Sequence, residues 1–172
     1  MPATEGPYAA WVSWLAAFGR GEDPPSGHLT RVDQSLGPEM LARLTAHVAT
    51  AFHDRQRRWS DALVRDQQLL RIDPANAGTA IAVVLHNARA LLAPLVAFTA
   101  MQLFPAELRE NLRTALAQTV RSAQQTLVDS AREAPEQLRN AIAANSLLPA
   151  LARPPTAQPP AGSAPVRRVI LS

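Results

Sequence analysis

The chain has no cysteine and no lysine among its 172 residues, and each absence closes off a class of chemistry. Without thiols there can be no disulfide scaffold, thiolate zinc site, iron–sulfur cluster or cysteine nucleophile. Without ε-amines there is no Schiff-base catalysis. Glycine is scarce too, at seven, and none of the seven falls into a phosphate-cradling loop, a dinucleotide fingerprint or a nucleophile elbow. No segment alternates apolar and polar residues as a half-buried strand does, so a sheet has little to be built from.

What remains is rich in alanine, proline and arginine. All 17 basic residues are arginine, a bias that fits coding drift in a high-GC bacterial genome better than a selected need for guanidinium groups. The formal net charge of +3 invites a nucleic-acid partner, but its position argues against one. Residues 1–152 carry 14 arginines against 14 aspartates and glutamates, and the surplus is Arg153, Arg167 and Arg168. Duplex binding needs several phosphate-facing cations on one surface. A neutral body supplies that only if folding gathers its arginines on one side.

The length suits one domain plus a tail, long enough to bury a core without disulfides or a structural metal. Three stretches carry the same helix-start chemistry: GPEMLARL from Gly37, FPAELREN from Phe104 and APEQLRNA from Ala134. Each puts proline where the first turn can spare an N–H, with a carboxylate close behind. From Pro38 to about Ile72, Leu41, Leu44, Val48, Phe52, Trp59, Leu63 and Leu70 recur at helical spacing, predicting one long amphipathic helix or two nearly collinear ones.

The segment Ala80 to Phe104 is apolar nearly all round, which predicts a central buried helix, bent or split at Pro94, with a membrane span as the weaker alternative. Pro105 to Ala134 repeats an amphipathic stripe through Leu108, Leu112, Leu116, Val120, Ala123 and Leu127. A shorter helix follows towards Leu148. Ahead of these, Tyr8 to Phe18 reads as a short helix whose lead is acidic rather than basic, the reverse of a signal peptide, so a cytoplasmic protein is expected. Residues 18–37 form the connecting loop, long enough to be mobile or to fold over a face. The expected fold is all-α, a bundle of four to five helices over residues 1–152. Residues 153–172 are too rich in proline and alanine to pack a core and are expected to form a disordered tail. The tail closes on Val166, Arg167, Arg168, Val169, Ile170 and Leu171, an apolar and basic segment of the kind that docks on a partner's sheet edge or groove.

One stretch concentrates chemistry: HDRQRRW, residues 53–59, in the middle of the long helix. Asp54 is spaced to face Arg58, and Asp61 to face Arg57 and Arg65, which favours a solvated, locally paired surface. Arg55 instead continues the core stripe towards Trp59, where it stacks on the indole or makes a polar contact inside the bundle. If Arg55, Arg57, Arg58 and Arg65 share a surface, they are the candidate anion-facing set. His86, Asn87 and Arg89, on the most apolar segment, form a candidate buried polar site that needs partners from protein, water or ligand.

His28, His47, His53 and His86 show neither a metalloprotease pattern nor the paired motifs of bundle di-iron sites. A metal site would have to be assembled across helices with His86, and no metal or cofactor is expected. The carboxylates are equally unpersuasive as catalytic pairs, since Glu107 and Glu110 belong to a first helical turn. These residues point to a non-enzymatic helical adaptor or scaffold that binds a protein partner or itself. A membrane-associated helical protein, and a nucleic-acid- or small-ligand-binding regulator, are the alternatives.

Overall fold

The computed structural model describes residues 6–69 and 76–151, among which there are six α-helices, a closing 3₁₀ turn and no strand. The fold is an all-α bundle. In chain order, α1 spans Gly6–Gly19, α2 Val32–Ser35, α3 Pro38–Leu69, α4 Ala77–Thr99, α5 Ala106–Ser130 and α6 Glu136–Ala144; the 3₁₀ turn is Leu148–Leu151. Five of these are long helices and the sixth, α2, is a single turn inside the connector.

The long stripe forms one unbroken helix, α3, and buries Leu44, Val48, Phe52, Trp59 and Leu63; Leu70 falls outside the described residues. Proline opens this helix at its first position. Before α5 and α6 it sits one residue earlier: Pro105 and Pro135 hold ψ at 152° and 149°, extended rather than helical. The ring fixes only φ, near the value shared by helix and extended chain, so the same residue serves either position.

Phe52 meets Phe98, and the Trp59 indole donates to the Ala88 carbonyl at 2.9 Å, so α4 runs antiparallel to α3. The Gln67 amide donates to Ser130 Oγ at 2.7 Å, which sets α5 parallel to α3 with α4 between them in sequence. At one end of this three-helix unit an aromatic cluster ties in α1. Phe98 lies 4.3 Å from Phe18, 5.1 Å from Phe104 and 5.4 Å from Phe52 by ring centroids, and Trp14 stacks on Phe18 at 5.5 Å. Offset aromatic pairs at such separations contribute about 0.5–1.5 kcal/mol each beyond burial.

Two tryptophans also hold the connector down. Trp11 Nε1 donates to the Thr30 carbonyl at 2.9 Å and Trp14 Nε1 to the Pro24 carbonyl at 3.1 Å, while Val32 N donates to the Leu103 carbonyl at 3.0 Å. The loop expected over residues 18–37 is therefore shorter than its sequence implies: α1 continues to Gly19, Leu29 and Val32 are core residues, and α2 forms within it.

α4 departs furthest from expectation. It ends at Thr99, not Phe104, and Pro94 sits inside it without splitting it. The N–H that proline lacks would have bonded to Ala90, whose exposed position lets water serve that carbonyl. The helix is not buried all round: Ile81, Leu85, Ala88, Leu92 and Leu95 face the core, whereas Val83 is 56% and Leu91 55% exposed. α6 and the 3₁₀ turn fold back along α4 and α5, and Leu147 N, fully buried, donates to Gln124 Oε1 at 2.9 Å. The buried side chains of all the long helices belong to one contiguous core.

Candidate functional site

HDRQRRW is used within the fold. Gly21, at φ +95°, closes α1: its N–H donates to the Phe18 carbonyl at 3.0 Å, and the next N–H, of Glu22, reaches back to Ala17 at 3.1 Å. This pair of bonds is the Schellman ending, which needs a left-handed residue at that position. Arg55 grips the same turn from α3. It is only 7% exposed, donates through Nη1 to the Glu22 carbonyl at 2.6 Å and the Phe18 carbonyl at 3.3 Å, pairs through Nη2 with Asp23 at 2.9 Å, and lies 4.5 Å over the Phe18 ring. The stacking partner is thus Phe18 rather than Trp59. Arg58 Nε donates to the Gly19 carbonyl at 3.0 Å.

Two cations therefore sit on the orphan carbonyls at the C-terminus of α1, where the helix dipole favours positive charge. The candidate anion-facing set does not assemble. Arg55 and Arg58 are engaged by α1, Arg57 pairs with Asp54 at 3.4 Å, and Arg65 stands exposed by itself on α3. Asp54 faces Arg57 rather than Arg58, because Arg58 has the stronger claim of the α1 carbonyls.

The candidate buried polar site is also redistributed. His86 and Asn87 are exposed, since the core stripe of α4 runs through Leu85 and Ala88 and turns them to solvent; only Arg89 is half-buried. His28, His47 and His53 are exposed as well, and among the described residues no three His, Asp or Glu side chains gather into a metal-holding group. The tail segment Val166–Leu171 lies outside the described residues.

Two concavities stand out among the described residues. One, of about 370 Å³, lies between the parallel α3 and α5 and is lined by uncharged residues of mixed polarity, among them Ser60, Leu63, Val64, Gln67, Gln118 and Thr119. The other, of about 1080 Å³, runs between α4 and α5 and is closed at one end by Ala150 and Leu151 of the 3₁₀ turn. Its walls are mainly aliphatic, among them Ala93, Val96, Ala97, Leu116 and Ala117, and three arginines enter it: Arg89, Arg109 and Arg113. No acidic residue lines it. Arg113 is paired with Glu110 at 2.7 Å, whereas among the described residues Arg109 Nε has no acceptor and no ion pair engages Arg89. Sequence spacing hinted at this only through Arg109 and Arg113, one helical turn apart; that Arg89 faces them follows from how α4 and α5 pack.

The outer side of α4 adds a second surface. Val83, Ala90, Leu91, Ala93 and Ala97 are all exposed there, interrupted only by Thr79, His86 and Asn87. Comparison with known protein families, characterised proteins and solved structures gives no match.

Proposed function

We propose that the chain is a non-enzymatic helical adaptor that holds a helix of a protein partner against the outer side of α4. The supporting observation is that Val83 and Leu91 are more than half exposed on a helix whose opposite side is already committed to the core. Isolated exposed aliphatics need no explanation, but a strip running the length of a helix does. The alanines between them let a partner helix approach closely, and Val83 and Leu91 supply the anchors. The terminal segment Val166–Leu171 is a second contact in this reading, contributed by composition alone.

A photo-crosslinker placed at Leu91 of the full chain in its native host tests this. The expected result is one cross-linked protein, lost in a Val83→Asp variant and absent when the crosslinker is moved to His53 on α3. Equal capture from both positions, or none from Leu91, would sink the reading. Light scattering of the purified chain shows whether the partner is a second copy.

A membrane reading has one observation behind it: α4, at 23 residues, is long and apolar enough to cross a bilayer. Against it, the same helix carries Arg89 and has seven buried residues, six of them in the hydrophobic core. Flotation of the protein with liposomes, abolished by Leu91→Asp, would favour it.

A further inference from the structure

We infer that the cavity between α4 and α5 is a binding site for a single-chain amphiphile with an anionic head, such as a medium- or long-chain carboxylate. Three properties converge on that chemistry. Arg109 lines the cavity, and its guanidinium makes no hydrogen bond or ion pair among the described residues, so its positive charge has no partner from the protein there. Arg89 brings a second cation to the same space and Arg113, already paired with Glu110, a third, with no carboxylate among the lining residues, so the field there favours negative charge. Between the arginines the walls are aliphatic, which would reject a small hydrated anion in favour of one attached to an apolar body. The planar fork of a guanidinium suits a two-oxygen head group such as carboxylate.

The space itself sets the limits. At about 1080 Å³ it exceeds what a phosphate or a metabolite-sized acid would fill. The site shares Ala93 and Ala97 with the outer side of α4 but not Val83 or Leu91, so substitutions at Val83 and at the arginines tell the two proposals apart.

The test is calorimetric titration of the full chain with decanoate, kept below its aggregation threshold, alongside decyltrimethylammonium and decyl maltoside. Decanoate should bind and the cationic analogue should not. Arg109→Met, which keeps the stem but removes the donor, should weaken decanoate about tenfold or more, as should Arg89→Met, since each removes a charge-assisted hydrogen bond. Ala97→Trp, at an exposed position that tolerates bulk, should block the site with helicity unchanged by circular dichroism. Val83→Asp should leave decanoate affinity as it is. The proposal is overturned if decanoate does not bind, if all three amphiphiles bind alike, or if the arginine and tryptophan variants bind as the parent does. Capture by phosphatidylglycerol vesicles without any decanoate binding would also overturn it, by assigning the arginines to a lipid surface.

Discussion

Gly21 and Arg55 together decide how α1 ends and where it sits. An alanine at φ +95° must adopt a left-handed conformation, which costs about 1–2 kcal/mol for an L residue. Gly21→Ala should therefore lower the unfolding free energy by that much, seen as a lower urea midpoint with an unchanged slope. Arg55→Met keeps an apolar stem but removes the three acceptor contacts and the guanidinium that lies over the Phe18 ring. Loss of two hydrogen bonds from a buried cation to backbone carbonyls should cost about 2–3 kcal/mol in the same titration. The Asp23 pairing adds little, because Asp23 is exposed. If Arg55→Met unfolds like the parent, the clamp is incidental. Arg31 makes a smaller clip of the same kind: its Nε and Nη2 donate to both oxygens of Asp33 at 3.2 and 3.0 Å, and its Nη1 to the Gln102 carbonyl at 2.8 Å. The Arg31 hydrogen bonds, more than its charge alone, hold the Asp33 carboxyl below its ordinary 3.8. With the folded value below the unfolded one, the clip stabilises above pH 3.8 and its contribution disappears as pH falls through the lower, folded value. A carboxyl chemical-shift titration of Asp33 should show the depressed midpoint, and Arg31→Gln should restore it.

Among the elements, α4 carries most of the tension between local preference and tertiary use. Pro94 sits in its interior, yet the helix continues for five residues to Thr99, held by Leu95 and Phe98 in the core. Replacing Pro94 with alanine returns the N–H to Ala90 and removes the ring clash, so the variant should be more stable by roughly 1–3 kcal/mol and melt higher. A lower melting temperature would mean that proline at this position is needed to bring Phe98 into the aromatic cluster. The same helix shows what periodicity can and cannot reveal. In α3 and α5 polar residues mark the wet side, so the stripes Leu44 to Leu63 and Leu112 to Leu127 are readable from spacing alone. In α4 both sides are apolar, so nothing local says that Leu85 points inward and Val83 outward, and His86 with Asn87 is assigned to the wrong environment. α2 escapes notice because four residues are too few to show a period, and the backbone bond of Val32 to Leu103 in the α4–α5 connection spans about seventy residues of sequence. The Arg55 clamp and the Arg89–Arg109–Arg113 cavity are invisible for another reason. Their partners are tens of residues apart or on separate helices, and only packing brings them together.

At the scale of the whole molecule, the question is whether α1 with its connector and α6 with the 3₁₀ turn are appendages or parts of one cooperative unit. Both ends contribute residues that are almost fully buried: Trp11 from α1, and Ile142 and Leu147 from the returning C-terminal segment, all in the same core cluster. α4 links them, since Phe98 at its far end meets α1 while its body packs on α6. Burying one face of α4 thus requires both. If this is one unit, Trp11→Ala and Ile142→Ala, which delete core volume at opposite ends, should each shift a single calorimetric transition rather than create a new one. The expected costs are about 3–5 kcal/mol for the tryptophan and about 2–5 kcal/mol for the isoleucine. The calorimetric and van't Hoff enthalpies should agree in both variants, as for a two-state domain. A second, lower transition in the Ile142→Ala variant would instead mean that α6 docks on an already stable body, and then the cavity wall formed by Ala150 and Leu151 would open independently of the rest.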